Sequence, residues 1–388
     1  MPAGTIKLIE ELSEIASPFR AFATEHVAPH ADLIDREEHV PIELISKLAY
    51  AGFLSSGLPV AYGGTIGAGS DQIGAEIRHG LMHEALGGAS ASVQGLVNVH
   101  HMAGSAIARW GNQDQKQQWL PRLATGDLLA AIAITEPNIG SDATAIETTA
   151  TQDGSDYIIS GVKDWITCGQ IADLFVLLTR SEAGPLAFLM PSSTEGLTIQ
   201  PIRGMIGCRG YQLARLLLDR CKISSDNVLG RAGFGLSHVV ATGLDTGRYN
   251  LAWGCVGLAE ACLTAAFNYA RDRRQFQEAI GNFQLIQRQI SRMMTDVHAA
   301  RLMCIHSGEL RGRRNPAAVK ESTMAKYFAS TMVNRVANDA LQIHGARGAS
   351  QDYPLARYFR DARIMEIIEG TTQILEISIA RYGFLERA

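Results

Sequence analysis

Between about residues 131 and 232 the chain is a series of short apolar runs, with long stretches of helical periodicity on either side. That order excludes most folds at once. Thr148–Thr151 and Tyr157–Val162 flank Asp153-Gly154, the signal of two strands around a tight turn. Ala172–Thr179, Leu186–Met190, Leu197–Pro201 and Leu213–Asp219 continue the series with Gly and Pro between them. A compact sandwich- or barrel-like β domain is expected. Before it, Pro41 opens a helix in which Ile42, Leu44, Ile45, Leu48 and Ala49 recur at helical spacing as far as Gly52. Ile73–Leu86 and Ser92–Trp110 read as further helices. Asp114–Leu120 reads as a short one, capped by Asp114 and stopped by Pro121. After the β block, Ile286, Ile290, Met293, Val297, Ala300 and Cys304 form one apolar stripe, and Asn315-Pro316 starts a helix running towards Gly345. The expectation is a mainly α chain with a central β domain: an N-terminal helical domain over 1–130, the β domain over 131–232 and a helical bundle over 233–388. No G-x-G-x-x-G follows a strand, so a doubly wound nucleotide fold is not indicated.

Charge narrows the function. The 35 basic and 39 acidic residues give a net −4, too mild for nucleic acid or an anionic membrane surface. Arg311-Gly312-Arg313-Arg314 reads as a solvated loop between helices. The six cysteines show no metal-ligand spacing and read as buried thiols of a reducing compartment. Met1–Arg20 lacks the apolar core of a signal peptide, and no apolar run reaches membrane-spanning length, so a soluble cytoplasmic protein is expected. His100 and His101 are adjacent and do not share a helix face, so packing is expected of them and no metal.

Four stretches carry candidate chemistry. In Ile367-Ile368-Glu369-Gly370-Thr371-Thr372-Gln373 a lone carboxylate sits in apolar company, which raises its pKa and makes it a better proton acceptor. Taken alone, the same residues describe a helix end with a glycine stop. Ala133–Asp142 brings hydroxyls and main-chain donors into one loop, which suits an anionic or carbonyl-rich cofactor and equally suits a capped turn. Trp165, followed by Ile166 and Thr167, either lies against a planar heterocycle or is the aromatic core of the β domain. Arg273-Arg274-Gln275-Phe276, ahead of Phe283-Gln284, either binds a pyrophosphate or is a polar helix end.

In this order and at these separations, the stretches resemble the acyl-CoA dehydrogenase family of flavoproteins. The likeness extends through Tyr62-Gly63-Gly64, Asp245 with Arg248, Gln342-Ile343-His344-Gly345 and Arg360-Asp361-Ala362. It implies FAD held between the β domain and a C-terminal four-helix bundle at a subunit interface, in a homodimer or homotetramer. Ile134, Thr135, Trp165, Ile166 and Thr167 would meet the flavin, and Gly140 and Ser141 the cofactor phosphate or the thioester. Arg273, Gln275, Phe276, Gln284, Gln342 and Gly345 would hold the rest of the FAD, with Thr371 and Gln373 near its adenosine end. Asp245, Arg248, Ser141 and Gly370 would lie along the substrate, and Glu369 would be the catalytic base. The substrate would be an acyl thioester of coenzyme A or an acyl-carrier protein, with an electron-transfer flavoprotein or oxygen as acceptor. Some members place the base just before the arginine; here that position is Gly247, which favours Glu369 over its neighbour Glu366. Ala346, Ile368 and Gln277 replace two glycines and an aromatic common in the family. Ala252–Gly257 and Met365–Gly370 look like a carrier-protein-linked subgroup that oxidises 3-hydroxyacyl groups for polyketide extender units. A flavin monooxygenase on the same fold is a further alternative.

Overall fold

The computed structural model describes residues 3–65 and 71–387. The N-terminal part is helical: α1 (Ala3–Phe22), α2 (Ala31–Glu37), α3 (Ile42–Tyr50), α4 (Gln72–Ala89), α5 (Ala91–Trp110) and α6 (Gln113–Thr125). Pro41 is the N-cap of α3, and the Ser90 side chain caps α5 by accepting from Val93 N. In α6 the cap is Asn112, not Asp114. Asn112 and Gln115 form a reciprocal capping box, with bonds of 2.8 and 3.0 Å. Nor does Pro121 stop this helix, which continues to Thr125. Proline removes one intrahelical bond, but the double cap and the burial of Trp119, Leu120, Leu123 and Ala124 on both sides of it outweigh that loss.

The β domain is one eight-stranded sheet: β1 (Ala130–Ala133), β2 (Thr149–Asp153), β3 (Asp156–Ile166), β4 (Leu174–Ser181), β5 (Gly184–Pro191), β6 (Leu197–Pro201), β7 (Ala214–Ser224) and β8 (Val228–Leu229). The order is β6-β7-β3-β2-β4-β5-β8, with β1 parallel to β4. β1 was not foreseen as a strand. All four of its residues are buried, so it lacks the alternation that marks a strand with one wet face. Its core is continuous with residues of α5 and α6, so the sheet rests on the N-terminal helices.

Three long helices follow, α7 (Ala241–Asp272), α8 (Gln284–Gly312) and α9 (Ala318–His344), after which come α10 (Leu355–Met365) and α11 (Thr372–Leu385), both packed on α9. A small hairpin, β9 (Arg274–Gln275) with β10 (Glu278–Ala279), joins α7 to α8. The expected stripe on α8 is buried at Ile290, Met293, Val297, Ala300 and Cys304. The segment Gly235–Asp272 is long and apolar enough to cross a bilayer, yet 72% of its most apolar window is buried inside the protein. It is the central helix of the bundle. All six cysteines are buried and unpaired.

One expectation fails here. Arg311 is not part of a solvated loop but lies in the last turn of α8. Its guanidinium bonds Asp245 Oδ2 at 2.6 Å, approaches Glu76 Oε2 at 3.4 Å and lies 4.8 Å from the Tyr249 ring centroid. Three elements, α4, α7 and α8, meet on that one cation.

Candidate active site

The turn between α10 and α11 carries Glu369. Glu369 and Gly370 are successive left-handed residues, with φ of 56° and 91°. A glutamate in that region is strained unless its surroundings fix it, and two cations do so. Arg248 of α7 donates Nε to the Glu369 carbonyl at 3.2 Å, and Lys326 of α9 donates Nζ to the Gly370 carbonyl at 2.8 Å. Thr371 caps α11 by accepting from Ile374 N. The main chain is gripped on both sides, while Glu369 Oε2 is buried without a hydrogen-bond partner.

The space around that carboxylate depends on Gly247. A Cβ there would fall 2.6 Å from Glu369 Oε2 and 2.7 Å from Met102 Sδ of α5. Burial pushes the Glu369 carboxyl up to about 7, with Arg248 and Lys326 pulling the other way. Lys326 is fully buried, and burial lowers its ammonium to about 8. Glu366 is different: its carboxylate is paired with Arg363. Of the two candidate glutamates, Glu369 is the one with a buried carboxylate oxygen that has no partner.

A second group lies on the β domain. Main-chain Asp164 N donates to Thr135 O at 2.8 Å, so the loop after β1 and the end of β3 are joined. Lys163 reinforces the join, donating Nζ to Ile134 O at 3.0 Å and to Glu136 Oε1 at 2.7 Å. Glu136 also accepts from Thr148 N and Glu147 N. Burial opposes ionisation of both partners, but these bonds still hold Glu136 below its ordinary value, while Lys163 is lowered to about 8. Above this pair Trp165 has φ of 59° and is 51% exposed, so it is not the core aromatic of the β domain. Ile166 is buried beside it and Thr167 half-buried, while Gly140 and Ser141 are exposed in a turn capped by Asp142.

A third group is set apart on the bundle. Gln275 and Phe276 are on the exposed hairpin and Gln284 at the start of α8, with Phe276 90% exposed and 6.1 Å from Phe283 between ring centroids. Arg273, Arg274, His344 and Arg347 line one cleft. Gln342, Gly345 and Gln373 are exposed. Gln277, standing at a position the family fills with glycine, has φ of 69° and so keeps a glycine-like backbone. Asp245 is engaged by Arg311, leaving its buried Oδ1 unpaired.

Three domain signatures match in chain order: the acyl-CoA dehydrogenase N-terminal domain over residues 9–127, the middle domain over 131–221 and the C-terminal domain over 233–383. The chain belongs to the acyl-CoA dehydrogenase family. It is therefore an oxidoreductase, of a family of flavoproteins that dehydrogenate acyl thioesters. It is 35% identical to an acyl-CoA dehydrogenase of Bacillus subtilis over 94% of this chain and 95% of that one. A glutaryl-CoA dehydrogenase from Mycobacterium smegmatis, solved in complex with FADH2, superposes with a TM-score of 0.88 at 27% identity, covering 96% of this chain and 94% of the other. FkbI, for biosynthesis of the methoxymalonyl extender unit of the polyketide immunosuppressant Fk520, superposes at 0.86 with 29% identity, covering 94% and 99%.

Lys163, Glu136, Lys326 and Met102 are not among the site residues expected from the sequence. A lysine inside an apolar run, as in Ala325-Lys326-Tyr327-Phe328, is the signal that identifies such residues: full burial of lysine requires a partner. The dismissed His101 also has company. His79 and His83 of α4 and His101 of α5 offer ring nitrogens within 4.8 Å of one another. His83 and His101 are links of one hydrogen-bonded chain, and His79 is bonded elsewhere. Gln94 Nε2 donates to His83 Nδ1, His83 Nε2 meets His101 Nδ1, and His101 Nε2 donates to the Phe53 and Leu54 carbonyls. His79 bonds Ser56 and Asn250. Burial lowers all three, so they are neutral at pH 7.

Proposed function

We propose that the protein is an FAD-dependent acyl-thioester dehydrogenase in which Glu369 removes the proton α to the thioester carbonyl. The observation that carries this reading is the unpaired, desolvated carboxylate on a rigid turn, with its pKa close to neutrality. A base is most effective when its pKa is close to the working pH. The residues present fit FAD. Trp165 offers a half-exposed aromatic face on a constrained backbone, joined to the loop that carries the Thr135 hydroxyl. Arg273 and its cleft, with the exposed Gln275, Gln284 and Gln342, suit a pyrophosphate and an adenosine. When bound, FAD supplies the acceptor for the hydrogen that leaves the β-carbon as hydride.

The residues of the chain do the rest. Arg248 and Lys326 hold the two carbonyls of the Glu369–Gly370 turn, so the carboxylate is aimed by the main chain and not by bonds to its own oxygens. Its main-chain N–H is the family's donor to the thioester carbonyl, where a bond stabilises developing enolate charge. Asp245 and Arg248 line the approach of the thioester arm. The exposed Phe276 hairpin supports a second subunit over the FAD in a homodimer or homotetramer, with an electron-transfer flavoprotein or oxygen as final acceptor. Six unpaired thiols fit a cytoplasmic setting.

The test is anaerobic bleaching of bound flavin by saturated acyl thioesters of coenzyme A and of a carrier protein. Bleaching by neither series would remove the reading. A second reading is oxidation of a 3-hydroxyacyl group on a carrier protein, prompted by the likeness to FkbI, a protein of extender-unit biosynthesis. Bleaching by that thioester alone would select it.

Two variants probe the geometry. Gly247→Ala places a methyl within 2.6 Å of Glu369 Oε2 and is expected to cut the bleaching rate about tenfold or more at unchanged flavin content. Lys326→Met removes a cation that favours the ionised carboxylate. The pH midpoint of its bleaching rate is expected above the wild-type value, with the deficit shrinking as pH rises. An unshifted midpoint would restrict Lys326 to a structural role.

A further inference from the structure

Beyond Glu369 the interior between α5 and α7 is polar, and a hydrocarbon chain gives no reason for that. Met102, Asn98 and Gln94 follow one another at i, i−4 and i−8, so they share a face of α5. Both ends of that face are fixed against α7. Met102 Sδ lies beside Gly247 and Glu369, and Gln94 packs against Gly254 and donates to Asn250 O at 3.3 Å. Asn98 therefore faces α7 between those ends, one turn beyond the reacting carboxylate. Tyr211 closes a third side, its ring against the α5 backbone at Gly95, where a Cβ would fall 2.7 Å from Oη, and near enough to Glu369 to feel its charge. The turn that presents Tyr211 is held by Asp361, whose Oδ1 accepts from Cys208 N at 2.6 Å.

These four residues are all nine-tenths or more buried; Asn98 Oδ1, Gln94 Oε1 and Asn250 Nδ2 have no hydrogen-bond partner, and Tyr211 Oη has only the Cys208 thiol beside it. Most buried polar atoms in folded proteins are paired, so three unpaired ones between the same two helices call for a partner from outside the fold. The set contains acceptors and a donor, and burial keeps the Tyr211 hydroxyl protonated, so it too can donate. The set carries no charge. The three imidazoles behind it are neutral, and Arg248, Lys326 and Arg311 are engaged with Glu369 O, Gly370 O and Asp245. None of these cations is bonded to the four polar residues. The carboxylates that act on Tyr211 are Asp361 and Glu369, and a neutral group suits the set best.

Resting on the dehydrogenase reading above, we infer that the acyl group carries a neutral hydroxyl seated among Asn98, Gln94, Asn250 and Tyr211, within about four bonds of the reacting carbons, the reach of one helical turn. A site built to bond a hydroxyl discriminates strongly against the analogue lacking it.

The experiment uses pantetheine thioesters, the arm common to coenzyme A and carrier proteins. Pentanoyl, 5-hydroxypentanoyl and glutaryl thioesters are titrated into Glu369→Gln holoenzyme for dissociation constants and mixed anaerobically with wild type for bleaching. The hydroxy compound is expected to bind at least about tenfold tighter than pentanoyl, an advantage that Asn98→Leu reduces to near unity. Equal binding of the two with bleaching by both, showing that the polar atoms hold only ordered water, would overturn the inference and leave the dehydrogenase reading intact. Tightest binding of glutaryl would also overturn it. Absence of binding and bleaching by all three would bring down the dehydrogenase reading and the inference together. The wild-type comparison decides even where the Asn98 variant fails to fold.

Discussion

Glu369→Gln holoenzyme should bind acyl thioesters, keep its flavin and bleach about 10²–10⁴-fold more slowly than wild type, the range general-base removal produces. The substitution keeps the shape of the side chain and deletes the basic oxygen that has no protein partner. In wild type the rate should rise with pH as the carboxyl ionises, with a midpoint near 7 in free enzyme. The variant should lose that limb of the profile. Stability gives an independent check. Burial raises the folded-state pKa of Glu369 above its ordinary 4.5, so its contribution is fully present below the ordinary value and is lost as pH rises to about 7. At pH 8 the glutamine variant should therefore be the more stable protein, by up to about 3 kcal/mol, and at pH 4 the two should melt alike. A variant with wild-type bleaching would exclude Glu369 as the base, and a reversed order of melting at pH 8 would contradict its desolvation.

The three-part architecture was legible because short apolar runs bounded by Gly and Pro, set between long stretches of helical period, do not pass for helix. Errors came where a tertiary contact overrides a local rule. Pro121 ends helices in general but not α6, where buried neighbours on both sides hold the turn. Arg311 stands in a basic cluster that reads as solvated, and only the fold brings Glu76 from α4 and Asp245 from α7 to meet it. The site divides the same way. The apolar neighbours of Glu369 and the glycine after it mark it as a candidate base only in company with the family resemblance. The grip on its turn was not legible: Lys326 was not foreseen, and Arg248 was expected along the substrate, yet both are distant in sequence and bond to main-chain carbonyls of the turn. The histidines show the limit plainly. Adjacency correctly denied His100 and His101 a shared face, but His101 finds its partners one helix away.

Lys163→Met should be the most damaging substitution away from the base. Lys163 and Glu136 are both almost wholly buried, and their bond is 2.7 Å long. A buried ion pair adds little net stability when formed, but removing one partner leaves a charge in the interior, at a cost of about 3–5 kcal/mol. Glu136 would keep two main-chain donors, from Glu147 and Thr148, which places the expected loss towards the lower end of that range. The same lysine also bonds Ile134 O, so its removal loosens the loop before Thr135 from the strand that carries Trp165. The proposed flavin contacts are on those two segments, so a lower melting temperature should be accompanied by weaker FAD retention on gel filtration. Adding Glu136→Gln removes the stranded charge and should recover most of the melting temperature. FAD retention should recover less, because the bond to Ile134 O stays missing. If FAD retention returned in full with the melting temperature, the pair would act on stability alone. If Lys163→Met left both unchanged, the joining of the two segments would have to rest on the single bond from Asp164 N to Thr135 O.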